Sequence, residues 1–360
     1  MSQRTQRRRQ CLAWLVAGAA APALSAPAGT VGGAVGDALA RPALPTRHAE
    51  RSVLLAADRA GSRLVAVGER GIVVLSDDQG ERWRQAPTPV SVTLTAVRFA
   101  DQKRGYALGH GGTVLATDDG GQGWKPRLDG GQMAQALLAE AKASGDAAVI
   151  ASAERMVAEG ADKPLLDLVL FDAQRLLVVG AYGVALASGD GGVTWASWRA
   201  RLPNPKELHL YAVRQRGSRI VVAGEQGLVL LSEDGGRSFK RLTLPYVGSF
   251  FTAELPDEQA IVVAGLRGNA WRSTNAGTDW QQLASPMPVS ITGSALDAAG
   301  RALFVNQAGM VLGLQGDVLQ PLPGAPLPPL NAILALDAGR ALALSVQGVQ
   351  RINLQPGNPR

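Results

Sequence analysis

The residues best spaced to do chemistry together are five carboxylates or amides set in one recurring frame. The frame reads Ser76-x-Asp78-x-Gly80-x-x-Trp83, Thr117-x-Asp119-x-Gly121-x-x-Trp124, Ser188-x-Asp190-x-Gly192-x-x-Trp195, Ser232-x-Asp234-x-Gly236-x-x-Phe239 and Ser273-x-Asn275-x-Gly277-x-x-Trp280. Calcium would need about six to eight oxygens gathered on one ion. Each loop brings one carboxylate, and the loops lie far apart in the chain, so the frame predicts hairpins instead. In each, the Asp or Asn oxygen accepts from backbone N–H groups, the Gly takes a positive φ, and the aromatic packs between sheets. His48, His110 and His209 are widely separated and lack a second ligand at metal spacing, so neither metal nor cofactor is implied.

These frames sit inside a repeat. A Gly-x-x-Gly after an apolar run recurs at Gly68–Gly71, Gly109–Gly112, Gly180–Gly183, Gly224–Gly227 and Gly265–Gly268, with degenerate copies at Asn306–Gly309 and Ser345–Gly348. The second glycines are 41, 71, 44, 41, 41 and 39 residues apart, one period carrying an insertion. A phosphate loop would need a helix and a lysine to follow, and neither does. Each unit instead reads as four short strands; in the second they are Leu94–Ala100, Arg104–Leu108, Thr113–Thr117 and Trp124–Leu128. Seven such units predict an all-β fold, a seven-bladed β-propeller of four-stranded blades over residues 45–356.

The last unit supplies only three strand runs, Asn331–Leu336, Arg340–Ser345 and Val349–Asn353. Pro45–Arg51 is the expected donor of a fourth, closing the ring by strand exchange. Between blades two and three, 130–163 reads as a helical hairpin, Gln132–Ser144 and Ala147–Glu159, broken at Gly145-Asp146. It is either a docking arm or a decoration packed on the neighbouring blade, and its junction-like ends predict a semi-independent element, so that deleting 131–162 should leave the propeller folded.

Arg4, Arg7, Arg8 and Arg9 before the apolar run Cys11–Ala21 and the small residues to Ala26 read as a secretory signal peptide, 1–26, followed by a flexible lead-in, 27–44. Without the leader, 32 basic residues face 30 acidic ones, which gives no support to nucleic-acid binding. The only cysteine, Cys11, leaves with it. The expected destination is the periplasm, and the mature chain is not expected to span a membrane.

The Gly-x-x-Gly turns and blade connections should share one face, with the Asp-bearing hairpins on the other. The variable residues of the first face are Glu69, Arg70, His110, Tyr182, Glu225, Gln226, Arg267 and Gln307, joined by Asn204, Lys206, His209, Tyr246 and Phe250 from the connections. Aromatics and arginines among polar neighbours suit protein recognition, so these are the candidate partner-binding residues.

The Ser-x-Asp-x-Gly-x-x-Trp frame resembles the Asp-box of sialidase-type and BNR-repeat propellers, which brings in a glycan-binding or sialidase-like hydrolase as the alternative. The Arg-Ile-Pro signature of sialidases is absent, and none of Tyr106, Tyr182, Tyr211 and Tyr246 has an evident acidic partner to make it a nucleophile. The segments 224–236 and 111–121, GEQGLVLLSEDGG and GGTVLATDDGG, are more similar to the photosystem II assembly and stability factor family. That resemblance runs from about Val53 to Asn353, and 204–211 and 245–251 look like its non-photosynthetic proteobacterial branch, which accompanies transporters of the resistance-nodulation-division type. It implies a seven-bladed propeller without enzymatic activity that binds protein partners, here an envelope complex.

Overall fold

The computed structural model describes residues 35–160 and 162–354; the expected signal peptide lies outside them. Seven antiparallel sheets follow one another along the chain, six of four strands and the last of three. In every sheet the strands pair in chain order, and the first strand of each packs against the first strands of both neighbours, so the sheets stand radially around a central channel. This is the seven-bladed propeller that the repeat predicts.

The blades are held by seven separate apolar layers, one in each gap between neighbours. Second and third strands are buried on both faces, as in Leu64–Val67 and Val73–Leu75. Continuous Val, Leu and Ala runs therefore replace the alternation of a one-sided sheet, and each large aliphatic side chain contributes about 1.5–3 kcal/mol by leaving water. A single blade has no core of its own.

Ring closure differs from the sequence expectation. Pro45–Arg51 is not a strand: it turns into a short 3-10 helix, Ala49–Arg51, and the sheet Leu330–Ala335, Arg340–Ser345, Gly348–Asn353 keeps three strands. Glu50 does lie over blade seven, because a Cβ on Gly348 would sit 2.0 Å from the Glu50 carbonyl. The segment thus takes the place of a blade-to-blade connection and not of a fourth strand. The seam between blades seven and one is made by Leu342 and Leu344 against Leu54, Leu64 and Val74, by Asn331 Nδ2 donating to the Leu54 carbonyl at 2.9 Å, and by Arg351 paired with Glu81. The described part of the lead-in, residues 35–44, is not a loose tether either. Helix α1, Val35–Ala40, is followed by chain bonded along blade one, with Ser91 N donating to Ala38 O at 2.8 Å and Ala43 N to Thr88 O at 3.1 Å.

The insertion forms α2, Gly130–Ser144, and α3, Ala147–Glu159. Asp129 and Gln132 make a capping box at the start of α2, and the Asp146 carboxylate caps α3. The hairpin does not protrude: Met133, Ala134, Leu137 and Met156 are buried in the same apolar layer as Leu108, Val114, Leu165 and Val178. Of the two readings, the packed one holds.

Candidate protein-docking face

Each Gly-x-x-Gly turn is clamped between two connections. The N–H of its second residue donates to the carbonyl just before its own blade's first strand: Glu69 to Val53 at 3.0 Å, His110 to Thr93 at 2.9 Å, Ala181 to Pro164 at 3.0 Å, Glu225 to His209 at 3.0 Å, Leu266 to Ser249 at 2.9 Å and Gln307 to Ser290 at 3.1 Å. These bonds place the turns and the blade entrances on one face. The first glycine is required by close approach, since a Cβ on Gly68 or Gly224 would stand 2.0 or 2.3 Å from the Val53 or His209 carbonyl. The outgoing connection crowds the second glycine in the same way, 2.3 Å from Tyr246 O at Gly227. Held from both sides, the residue between them adopts the left-handed region even where it is not glycine: Arg70, Tyr182, Gln226 and Arg267 have φ of 53–57°. Such conformations persist only where the surroundings impose them, and all four side chains are exposed.

Every first strand carries a bulge after its first residue. The bulged residues, Leu55, Thr95, Leu166, Tyr211, Phe251, Thr292 and Asn331, are all partly exposed, and they interact from blade to blade at this end of the channel. Thr95 donates to Leu165 O and Thr292 to Leu330 O, each at 2.7 Å. On blades three to five aromatics take over. Tyr182 stacks edge-on against His209 at 4.9 Å between ring centroids, His209 against Tyr211 at 6.1 Å, and Tyr211 against Phe251 at 5.3 Å. Lys163 Nζ lies 4.8 Å from the centre of the Tyr182 ring. Bulges re-aim side chains, and here they extend an aromatic ladder from the face to the channel.

The predicted face residues divide accordingly. Arg70, His110, Tyr182, Lys206, Gln226, Arg267 and Gln307 are exposed. Phe250 is a correction: it is fully buried in the layer between blades four and five, and Phe251, displaced by the bulge, is the accessible aromatic. Glu69 and Glu225 are engaged, accepting from Val53 N at 3.0 Å and His209 N at 3.3 Å. Asn204 closes its own turn through both amide atoms with Leu208, and His209 Nδ1 accepts from Tyr182 N at 2.8 Å. Tyr246 lies over blade five, its hydroxyl donating to Leu266 O at 3.2 Å, beside the 84% exposed Val247.

Sequence reasoning missed a charged belt along the first strands. Four residues after each first residue stand Asp58, Arg98, Arg214 and Glu254 on blades one, two, four and five, with Asp167 on blade three. Arg98 lies 3.3 Å from Asp167, and Arg214 pairs with Asp167 and, at 3.6 Å, with Glu254. Asp58 accepts from Phe99 N at 2.7 Å, and Ser294 donates to Glu254 at 2.7 Å. Burial pushes the Asp58 and Glu254 carboxyls above their ordinary range, against the pull of the arginines. Arg59 donates to the Ala335 and Leu336 carbonyls. Asp167, Arg98, Arg214 and Glu254 are thus engaged with one another, and Asp58 with the backbone.

The opposite face carries the Asp-box hairpins. Asp78, Asp119 and Asp190 each accept from two backbone N–H groups, and Asp234 and Asn275 accept from Ser238 N and Asp279 N. The Ser or Thr hydroxyl accepts from the box glycine, as Ser188 does from Gly192 at 2.8 Å. Trp124, Trp195 and Trp280 donate to the carbonyl three residues back; Trp83 packs in the seam and Phe239 against Trp198. The Thr194 hydroxyl and N–H hold Asp190 at about 2, and Arg175 with nearby N–H groups holds Asp172 at about 2. In the unfolded chain both titrate near 3.8, so between about pH 4 and pH 2 the unfolded state binds more protons and stability falls as pH falls. Urea midpoints measured across that window should decline, and Asp172→Asn with Asp190→Asn should flatten the decline.

The model of the family described as photosynthesis system II assembly factor YCF48 matches residues 74–162 and 147–311, well over half of the chain. The chain belongs to that family. Among solved structures, YCF48 bound to a D1 peptide superposes with a TM-score of 0.63 at 14% identity, covering 85% of this chain and 94% of that one. YCF48 from Cyanidioschyzon merolae gives 0.62 at 15%, covering 87% and 98%. A GH74 xyloglucanase from Xanthomonas campestris gives 0.58 at 16%, covering 85% of this chain but 52% of its own. These likenesses establish the fold. No curated protein matches, and no helix among the described residues is long and apolar enough to cross a membrane.

Proposed function

We propose that the chain is an exported, non-catalytic scaffold of the bacterial envelope that docks a partner protein on the Gly-x-x-Gly face, centred on blades three to five and reaching Arg70 on blade one. The observation that carries this reading is the ladder Tyr182–His209–Tyr211–Phe251, flanked by the exposed Arg267 and Lys206. Aromatics and arginines dominate the binding energy of protein interfaces because they bury large areas while keeping a polar handle. Tyr182 is held out at 47% exposure by a turn that imposes its left-handed backbone. Family membership supports an assembly role, and a YCF48 solved with a D1 peptide illustrates that a propeller of this build can hold a peptide. The partner in this reading is an envelope membrane complex, with a resistance-nodulation-division transporter first in line from the sequence branch, and the place of action is the periplasm.

The test is capture from detergent-solubilised envelope by the mature chain, with bound proteins identified by mass spectrometry. Replacing Arg70, Tyr182 and Arg267 together with Ala should reduce recovery of the specific partner at least ~10-fold, since hot-spot truncations each cost about 2 kcal/mol or more. The melting temperature should stay unchanged. Undiminished capture would move the site off this face, and turnover of sialosides or xyloglucan by the wild-type chain would overturn the non-catalytic reading.

A further inference from the structure

Beside the Tyr182 end of the aromatic ladder, a groove of about 510 Å³ runs between the helical hairpin and the connection from blade three to blade four. That volume is within the range of clefts that hold ligands, roughly 300–1,000 Å³. Its floor is aliphatic: Leu137 and Ala141 of α2, Ala153 of α3 and Leu202 of the connection are all buried. Val149 stands at its rim, 42% exposed. The charged lining is lopsided. Glu140, Asp146 and Glu207 face a single guanidinium, Arg199, which Glu207 already neutralises. Glu207 is held there at φ 52° with Ser152 donating to it from α3 at 3.1 Å, so hairpin and connection are tied together across the groove. Glu140 uses one oxygen to accept from Ser197 N at 3.2 Å, and Asp146 uses one to cap α3. An aliphatic floor under a rim of excess negative charge complements a cation carried on an apolar chain.

We infer that this groove binds a short segment of a partner protein in which an aliphatic side chain adjoins a lysine or arginine. The aliphatic group covers Leu137, Ala141 and Leu202, and the cation reaches Glu140 and Asp146. This is a second contact, lined by other side chains than those of the adjoining aromatic ladder, and it gives the hairpin a use beyond filling the gap between blades.

The probe is a fluorescein-labelled hexapeptide of alternating lysine and leucine, with its glutamate–leucine counterpart, titrated with the mature chain by fluorescence anisotropy in low salt. The lysine peptide should bind at least ~10-fold more tightly than the glutamate peptide, because like charges at the rim oppose the latter. Val149→Arg, which adds a competing cation at an exposed position, should weaken the lysine peptide ~10-fold. Glu140→Gln, which keeps the acceptor for Ser197, should weaken it ~3-fold or more. The Arg70, Tyr182 and Arg267 triple variant should bind the peptide as the wild type does. Equal binding of the two peptides, or full affinity in Val149→Arg with its melting temperature unchanged, overturns the inference. Loss of peptide binding in the triple variant would instead assign the peptide to the aromatic ladder and overturn it as well.

Discussion

Arg214→Met should lower the stability of the folded chain by about 3–5 kcal/mol, the usual consequence of stranding buried partners of opposite charge. Arg214 is the one cation shared by Asp167 and Glu254, whose side chains are only 8% and 7% exposed. Asp167 keeps Arg98 and Glu254 keeps Ser294, so the variant should still fold, with a lower urea midpoint. Its pH dependence provides the second readout. Without Arg214 the Glu254 carboxyl rises further above its unfolded value, so the folded state holds the extra proton. Stability is then greatest below the unfolded pKa and is lost as pH rises through the folded one. Arg214→Met with Glu254→Gln removes the titrating group and should recover part of the loss while flattening the profile. An Arg214→Met midpoint equal to wild type from pH 5 to 8 would show the belt to be hydrated and energetically idle.

Deletion of residues 131–162 should abolish cooperative unfolding, because the hairpin supplies one side of an inter-blade layer. Met133 and Leu137 of α2 and Met156 of α3 are at most 5% exposed, and removing a buried side chain of this size costs about 2–5 kcal/mol each. The sum approaches or exceeds the whole stability of an ordinary domain, about 5–15 kcal/mol. The milder Met133→Ala should fold and melt early, with an unfolding free energy lower by about 2–4 kcal/mol. A deletion variant with a wild-type melting curve would make the hairpin an appendage after all.

The architecture was legible in the sequence because it is repeated. The first glycine of every Gly-x-x-Gly is demanded by a carbonyl 2.0–2.4 Å from where a Cβ would stand and the second by the outgoing connection, and every Asp-box by the same local bonds, so both survive as periodic spacing. Ring closure was misread through a signal that was present. Where the third strands of the other blades have Val73-Val74-Leu75 or Val229-Leu230-Leu231, blade seven has Gln350-Arg351-Ile352, and polar residues of this kind mark a strand whose outer edge stays wet. A strand donor was expected where the chain had already prepared an exposed edge. Phe250 was misassigned for a geometric reason, since a bulge shifts the in–out alternation by one and single-sequence periodicity does not register it. The belt went unnoticed because its members come from strands far apart in the chain, and none has a charged partner from the belt near it in sequence. Only the ring puts Asp58, Arg98, Asp167, Arg214 and Glu254 side by side.

The seam between blades seven and one sets the order in which this molecule can become itself. Asn331 reaches back 277 residues to Leu54, and Leu342 and Leu344 complete an apolar layer begun at Leu54 and Leu64. Until the last blade emerges from its ribosome or translocation pore, one flank of blade one has nothing to rest against, and contacts so distant in sequence form slowly. The nascent chain is an unfinished arc for nearly its whole synthesis, with two sticky ends. Its native shape is reached in one late event, which packs side chains without adding a strand, and until then both ends of the arc leave apolar faces uncovered.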